Sequence, residues 1–462
     1  MPRPSVTTYA SGRTRPAGPK IDLCGMVALA TCAFALIVDP ILEYLTTGGQ
    51  RPPNIMAPRM EPRIFWPAMA IIAVLLAARN RTRFSKLTWS PHLICLLVYL
   101  GFAGASVLWA FSPDRSFVRY TQQVMIITSI VLPAMMAAPT VDMMRGLFLC
   151  FTLCLVLNLL FVFGGNVTIA TYGRALVDIG YQGYFDGKNY LGECAAPALL
   201  MALDEARHRG WRRALGIGVA ALAMVLIFLS DSKTALGLAI ISPVLTQITL
   251  MIRKLTRVSP AIILSCIPVA YILVSSVSHF NMDRIAYILY HDSTLTGRTL
   301  IWAFAQSEID QRSLLGWGYQ SFWLVPGSPS FEAPGWIKLM PNAHNGYYDT
   351  TLEMGHVGLT LLLVFIFLIL HAIGRVADRD PARARLLLSL ALFVICWNYF
   401  ESLWMRGYEF LWVLFVFVAV DVARSCQPLL TRRAAYRPKR PRAGGFGVMT
   451  GVQTHRLRVR PS

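Results

Sequence analysis

The sequence predicts an all-α polytopic membrane protein with about twelve transmembrane helices. Three observations predict it. Hydrophobic residues make up 55% of the 462 residues and charged residues 15%, with a mean hydropathy of +0.52. Apolar stretches of membrane-spanning length recur along the chain, and Lys and Arg divide unevenly between alternate connections. Such a composition excludes a soluble multidomain protein. The net charge of +19 invites a nucleic-acid reading, but the basic residues lie in short clusters between apolar runs, not on a separate basic domain. We therefore expect no nucleic-acid partner.

A helix crosses the hydrocarbon core with roughly 17–25 apolar residues. Stretches of about that length lie at 22–45, 64–78, 92–111, 119–138, 144–164, 189–205, 213–230, 234–252, 259–277, 344–371, 385–402 and 407–424. Charge in the connections tests the assignment independently, because Lys and Arg are retained in the cytoplasm. With the N-terminus inside, 30 of the 43 basic residues fall on the cytoplasmic side and 13 outside, the inner clusters including "RNRTRFSK", "RHRGWRR" and "RKLTR". Both termini are then cytoplasmic.

Residues 1–21, with Arg3, Arg13, Arg15 and Lys20, read as a basic disordered arm. The apolar stretch behind it contains Asp39-Pro40 and is followed by eleven more, so it reads as an uncleaved first span, not a signal peptide. Residues 22–277 hold spans one to nine, 278–343 form a long outer loop, 344–424 hold the last three spans, and 425–462 form a basic tail. The arm and tail are suited to anionic lipid. All nine cysteines lie in spans or the tail, none in the outer loop, and their spacing matches no zinc pattern. We expect no metal, no cofactor and no structural disulfide.

The outer loop is too aromatic for a solvated linker. Trp302, Trp317, Phe322, Trp323 and Trp336 suit a lid along the membrane interface. Within it Leu300, Ile301, Phe304 and Ile309 approximate one helical face, punctuated by Gly297, Gly316 and Gly318.

Polar groups gather on the outer side at four places: Lys188-Asn189, the turn Asp231-Ser232-Lys233-Thr234, Gly297-Arg298, and His344-Asn345. Charges at a membrane boundary are costly unless they snorkel, pair or bind ligand. Lys188 also fits a lysine reaching headgroups, Lys233 a local salt bridge with Asp231, Arg298 a helix-terminal surface charge, and His344 an ordinary polar residue. Cations converging from different spans could hold a diphosphate, Arg by a bidentate fork and Lys as a point charge. A neutral histidine nearby could take a proton from an attacking hydroxyl. That combination points to group transfer from a lipid diphosphate.

"SDSKTALG" (230–237), "TGRTLIWAFAQSEIDQRSLLGWGYQSFW" (296–323) and "NAHNGYYDTTLEMGHVGL" (342–359) resemble motifs of the O-antigen ligase and O-antigen polymerase superfamily, with its exopolysaccharide polymerases. "FDGKNYLGE" (185–193) is similar to the family's Lys-Asn-x-x-Gly element. The resemblance covers most of residues 92–424. It implies a GT-C-like membrane glycosyltransferase with a polyprenyl diphosphate-linked glycan as donor, metal-independent transfer, and essential Arg and His residues on the periplasmic side. Those correspond to Arg298 and His344, with Lys233 where ligases commonly have Arg. Lys188 joins the diphosphate set, and Asn189 belongs to the same element. Asn345, Asp349 and Glu353 are candidate supports for His344; Gly355 and Gly358 would let the tenth span pack closely against a neighbour.

The function expected is polymerisation of an exopolysaccharide or O-antigen-like repeat at the periplasmic face of a bacterial inner membrane. The alternatives are ligation of a finished glycan to lipid A-core and, from a different class, transport of a lipid-linked glycan. Against transport, no duplicated halves appear and the polar groups gather at one face, not the midplane. The partners implied are the donor, a glycan or lipid acceptor, the bilayer, and chain-length regulator and flippase proteins.

Overall fold

The computed structural model describes residues 22–48, 59–164, 167–172, 175–278, 297–407 and 409–427. The basic arm 1–21, residues 279–296 of the outer loop and the tail beyond 427 lie outside the described residues. In chain order the elements are α1 (Leu23–Thr47), α2 (Met60–Arg79), α3 (Pro91–Trp109), α4 (Pro113–Met136) and α5 (Met143–Phe163). A hairpin of β1 (Val167–Tyr172) and β2 (Ala175–Tyr181) follows, then α6 (Lys188–Glu205), α7 (Trp211–Leu229), α8 (Lys233–Thr256) and α9 (Pro260–Ser278). Last come α10 (Arg298–Gln311), α11 (Gly346–Ala377), α12 (Pro381–Trp397) and α13 (Phe410–Cys426).

Among the described residues eight helices, α1 to α3, α5, α7 to α9 and α11, are long and apolar enough to cross a membrane. The protein is an all-α polytopic membrane protein. The remaining expected spans coincide with α4, which opens on Pro113-Asp114-Arg115, α6, which carries Lys188, Glu193, Asp204 and Glu205, and α12 and α13, each 17 residues long.

Polarity around each helix decides its place. In α13 every residue from Phe410 to Arg424 is buried, and a helix apolar on all sides belongs at the centre of a bundle. Helices α4, α11 and α12 pack around it. By contrast α9 buries only Pro260, Ala261 and Leu264 and lies at the edge against α8 and α11. Charged networks sit at the two ends, where helix termini leave unpaired backbone groups. At one end Arg383 binds Asp421 at 2.7 Å and Asp142 at 2.9 Å, and buried Arg424 donates to the carbonyls of Ala134, Ala137, Ala138 and Val141, closing the end of α4. The expected outer residues collect at the other end.

Three features differ from the sequence expectation. The connection between α5 and α6 carries an antiparallel hairpin pairing Val167 with Tyr181, with an irregularity at Ala170/Thr171. "VTIATY" is rich in strand-forming residues, a signal that a search for long apolar runs passes over. In α10 the buried face is Ile301, Trp302, Ala305 and Ile309, while Leu300 is exposed and Phe304 only half-buried. Lastly, Gly355 does not serve close packing between two helices. It breaks α11 at φ 63°, ψ −169°, and the outer loop lies in the break: His356 N–H donates to Ser313 O at 2.8 Å, while Trp317 and Gly318 N–H donate to Leu352 and Glu353 O at 2.9 and 2.8 Å. A Cβ on Gly355 would stand 2.1 Å from Leu314 O, so only glycine fits.

Through that seam the described part of the outer loop forms a packed layer on the bundle. Ile301, Ala305, Ile309, Trp317, Phe322, Trp323, Ala343 and Leu352 make a second core. Phe111 N–H donates to Trp317 O at 2.9 Å and Ser116 Oγ to Tyr319 O at 2.7 Å, pinning the layer to α3 and α4.

Candidate active site

His344 immediately precedes α11, and its backbone is held in the left-handed region at φ 49°. That conformation is costly for a residue with a side chain, though histidine tolerates it better than most. Its N–H donates to Asn342 Oδ1 at 2.9 Å. Asn345 caps α11, accepting from the N–H groups of Tyr347 and Tyr348. Gly346 N–H donates to Asn398 O at 2.8 Å and Glu401 O at 3.1 Å, and a Cβ there would meet Asn398 Oδ1 at 2.3 Å. The start of α11 is thereby fixed against the connection between α12 and α13.

This connection supplies the residue that completes the site. The two oxygens of the Glu401 carboxylate engage different partners: Oε2 lies 2.8 Å from His344 Nδ1, and Oε1 accepts from Arg298 at 2.9 Å. Arg298 is the first residue of α10, behind Gly297 at φ 86°, so a helix of the outer layer brings it to the carboxylate. All three side chains are roughly one-fifth to one-quarter exposed, enough for a ligand to reach them. Burial pushes the Glu401 carboxyl up, but the charges of His344 and Arg298 with their hydrogen bonds outweigh it and hold the group below the usual carboxylate range. With Nδ1 engaged by Glu401, Nε2 is the ring nitrogen left for a ligand.

None of the residues named from sequence as supports touches the imidazole; each acts through the backbone or a neighbour. Asp349 accepts from Trp323 Nε1 at 2.7 Å and from Ala343 N–H at 3.1 Å, tying the outer layer to the residue before His344. Glu353 accepts from Arg406 at 2.7 Å, and Arg406 lies 3.3 Å from Asp349. Lys188 opens α6 and pairs with Asp231 at 3.2 Å, joining α6 to the turn before α8. Asn189 beside it is exposed. Lys233 is exposed in the first turn of α8, and among the described residues no hydrogen bond joins it to Arg298 or His344. Arg298 and His344 are thus brought together; Lys188 and Lys233 stand at the same end outside that cluster.

Glu401 and Arg406 escape a hydropathy reading because it extends the eleventh span to 402, whereas α12 stops at Trp397. The signal is nevertheless present in "ESLWMRGYE", whose charged residues lie between two apolar runs. Beside the cluster a cavity of about 530 Å³ opens among α1, α2, α4 and the start of α6. Pro341, Gln320, Arg406, Glu409 and Arg119, which donates to Gln320 O, are among its lining residues. Among the described residues no group of three or more His, Cys, Asp or Glu side chains is placed to hold a metal ion.

The arrangement can orient a base, hold an anion and admit a small molecule. Residues 218–363 match the family model described as O-antigen ligase, a segment containing Lys233, Arg298, His344 and Gly355 but not Glu401. The chain is 27% identical over 303 residues to the exopolysaccharide production protein ExoQ of Rhizobium meliloti (strain 1021). That match spans 61% of this chain and 66% of the relative, just under two thirds of its length. Through the matched segment and this relative, the chain is similar to O-antigen ligases and exopolysaccharide production proteins.

Proposed function

We propose that the protein polymerises polyprenyl diphosphate-linked oligosaccharide repeats into an exopolysaccharide or O-antigen-like chain. It does so at the periplasmic face of a bacterial inner membrane, with twelve spans, both termini cytoplasmic and the outer loop between the ninth and tenth spans. The observation that carries this reading is the Glu401 carboxylate shared between His344 at 2.8 Å and Arg298 at 2.9 Å. The acceptor's terminal hydroxyl attacks C1 of the donor sugar, the C1–O bond to the diphosphate breaks, and the polyprenyl diphosphate leaves with the bonding pair. His344 Nε2 takes the hydroxyl proton, and Glu401 stabilises the imidazolium that forms. Arg298 meets the charge growing on the leaving diphosphate with the donors Glu401 does not engage, and Lys188 and Lys233 add positive charge at the same end. No step requires a metal ion. The donor is interfacial, its isoprenoid in lipid and its diphosphate in water, which suits a base placed at the mouth of a membrane helix.

Polymerase is favoured over ligase by the similarity to an exopolysaccharide production protein. Purified protein in liposomes with lipid-linked repeats, with and without a lipid A-core acceptor, tests this. Ladders of lengthened lipid-linked product are expected. Transfer only to core would make the protein a ligase, and no transfer to either acceptor would overturn the reading.

A further inference from the structure

Part of the cavity lining is an ion-paired carboxylate cluster. It is formed by Asp39 and Glu43 of α1 and by Arg59, and the lining also includes the aromatic side chains Tyr44 and Trp66. Arg59 bridges the two carboxylates, donating to Asp39 Oδ2 and to Glu43 Oε2 at 2.7 Å. The remaining oxygen of Asp39, Oδ1, is buried with no hydrogen-bond partner among the described residues, and Asp39 as a whole is only 8% exposed. Buried carboxylate oxygens are acceptors that seldom go unsatisfied. The missing partner must be a donor. A π-helical turn at Phe34–Val38, of the kind often found at functional sites, immediately precedes Asp39 in α1.

Hydrogen-bond character selects the ligand. A diphosphate offers only acceptor oxygens and has no donor for Asp39 Oδ1, and a prenyl chain has no donor at all. Sugar hydroxyls supply donors, and the aromatic walls supply apolar surface for the C–H face of a sugar ring. At about 530 Å³ the cavity is of small-molecule size, within the roughly 300–1,000 Å³ of ligand sites, and its lining also includes Arg406 and Pro341, three residues before His344 in the chain.

We propose that the Asp39, Glu43 and Arg59 part of this cavity is a carbohydrate subsite, in which Asp39 Oδ1 accepts a hydroxyl of a sugar packed against the aromatic wall. The inference rests on the glycan-transfer reading above and adds to it where the saccharide lies, with the diphosphate kept at Arg298. The sugar belongs to the donor repeat or to the growing chain; the hydroxyl chemistry is the same.

The test uses the full-length protein and three variants, Asp39→Asn, Glu43→Gln and Tyr44→Ala. In Asp39→Asn, Arg59 claims the amide oxygen and turns the NH₂ toward the cavity, so an acceptor becomes a donor. The probes are lipid-free oligosaccharide released by mild acid from the host's own polysaccharide, and inorganic pyrophosphate, each titrated calorimetrically. Asp39→Asn should weaken oligosaccharide binding about tenfold, the loss of one hydrogen bond to a charged acceptor, and leave pyrophosphate binding unchanged. Tyr44→Ala, which leaves the ion pairs intact, should weaken the same probe, so the proposal stays testable if Asp39→Asn does not fold. In the liposome reaction, KM should rise for the substrate whose glycan occupies the subsite, donor or growing chain, more than kcat falls. Oligosaccharide binding equal to wild type in the folded variants, or a parallel loss of pyrophosphate binding, would overturn the proposal. If wild-type protein transfers no glycan, the functional reading fails, and the oligosaccharide titration still decides the subsite.

Discussion

Replacing Glu401 by Gln probes the centre of the site with the smallest change of shape. The carboxylate accepts from His344 Nδ1 at 2.8 Å and from Arg298 at 2.9 Å, using a different oxygen for each. A glutamine has one carbonyl oxygen and one NH₂ group, so it can serve only one of these two donors. The other loses a charge-assisted hydrogen bond worth about 1.5–3 kcal/mol. At about 1.36 kcal/mol per tenfold in rate, turnover should fall about 10- to 100-fold. Glu401→Asp, one methylene shorter, should fall in between. The assay is product formation from lipid-linked repeats in liposomes at saturating donor, with kcat and KM separated. A pH series on unfolding adds a second readout. A carboxyl whose folded pKa is depressed contributes stability that is present above its ordinary value of 4.5 and is lost as pH falls through the lower folded value. The wild type should therefore lose apparent thermal stability below that range, and Glu401→Gln should lack this part of the acid limb. Unchanged turnover in Glu401→Gln, with an acid limb identical to the wild type, would refute the role assigned to Glu401.

His344→Gln should keep donor affinity yet lose roughly 10² to 10⁴ in kcat, the usual worth of general acid–base catalysis, and normal turnover at saturating donor would return His344 to a structural role. Arg298→Ala should abolish transfer in protein that still inserts, with Arg298→Lys recovering only part because a point charge replaces a fork; full activity in Arg298→Ala would remove it from the mechanism. Lys233→Arg should be tolerated better than Lys233→Ala, as judged by initial rates at limiting donor. Gly355→Ala should cost about 1–3 kcal/mol from a backbone at φ 63°, ψ −169° that is essentially confined to glycine, and more because its Cβ would stand 2.1 Å from Leu314 O. Gly48→Ala, in the left-handed helical region at φ 65°, ψ 25° with nothing within 4 Å, should cost only about 1–2 kcal/mol, so equal falls in unfolding midpoint would contradict the seam. In a background without native cysteines, Lys338→Cys should react with an impermeant thiol reagent in intact spheroplasts and Arg379→Cys only after lysis; the reverse pattern would invert the topology.

By itself the sequence determined the membrane character of the chain, the positions of its long helices and the end at which its polar residues gather. Those follow from local quantities: the length of an apolar run, the sign of the charge that flanks it, and the residue types within a motif. It also named His344 and Arg298, polar residues at a membrane boundary whose motifs resemble those holding the essential Arg and His of O-antigen ligases and polymerases. Only the tertiary structure decided what joins them. Glu401 is 57 residues from His344 and 103 from Arg298 along the chain, and it meets both because Gly346 and Asn398 lock the start of α11 to the end of α12. The role of Gly355 was decided in the same way, since a Gly-x-x-Gly spacing is equally at home in a helix interface and in a helix break, and the choice depends on the loop that fills it. The cavity is assembled from α1, α2, α4 and α6, and the vacant acceptor on Asp39 exists only because Arg59, across a turn of the fold, occupies the other oxygen. Pairing between residues distant in sequence is set by which faces the bundle brings together, and that information is spread over every packed helix instead of residing in any one stretch of the chain.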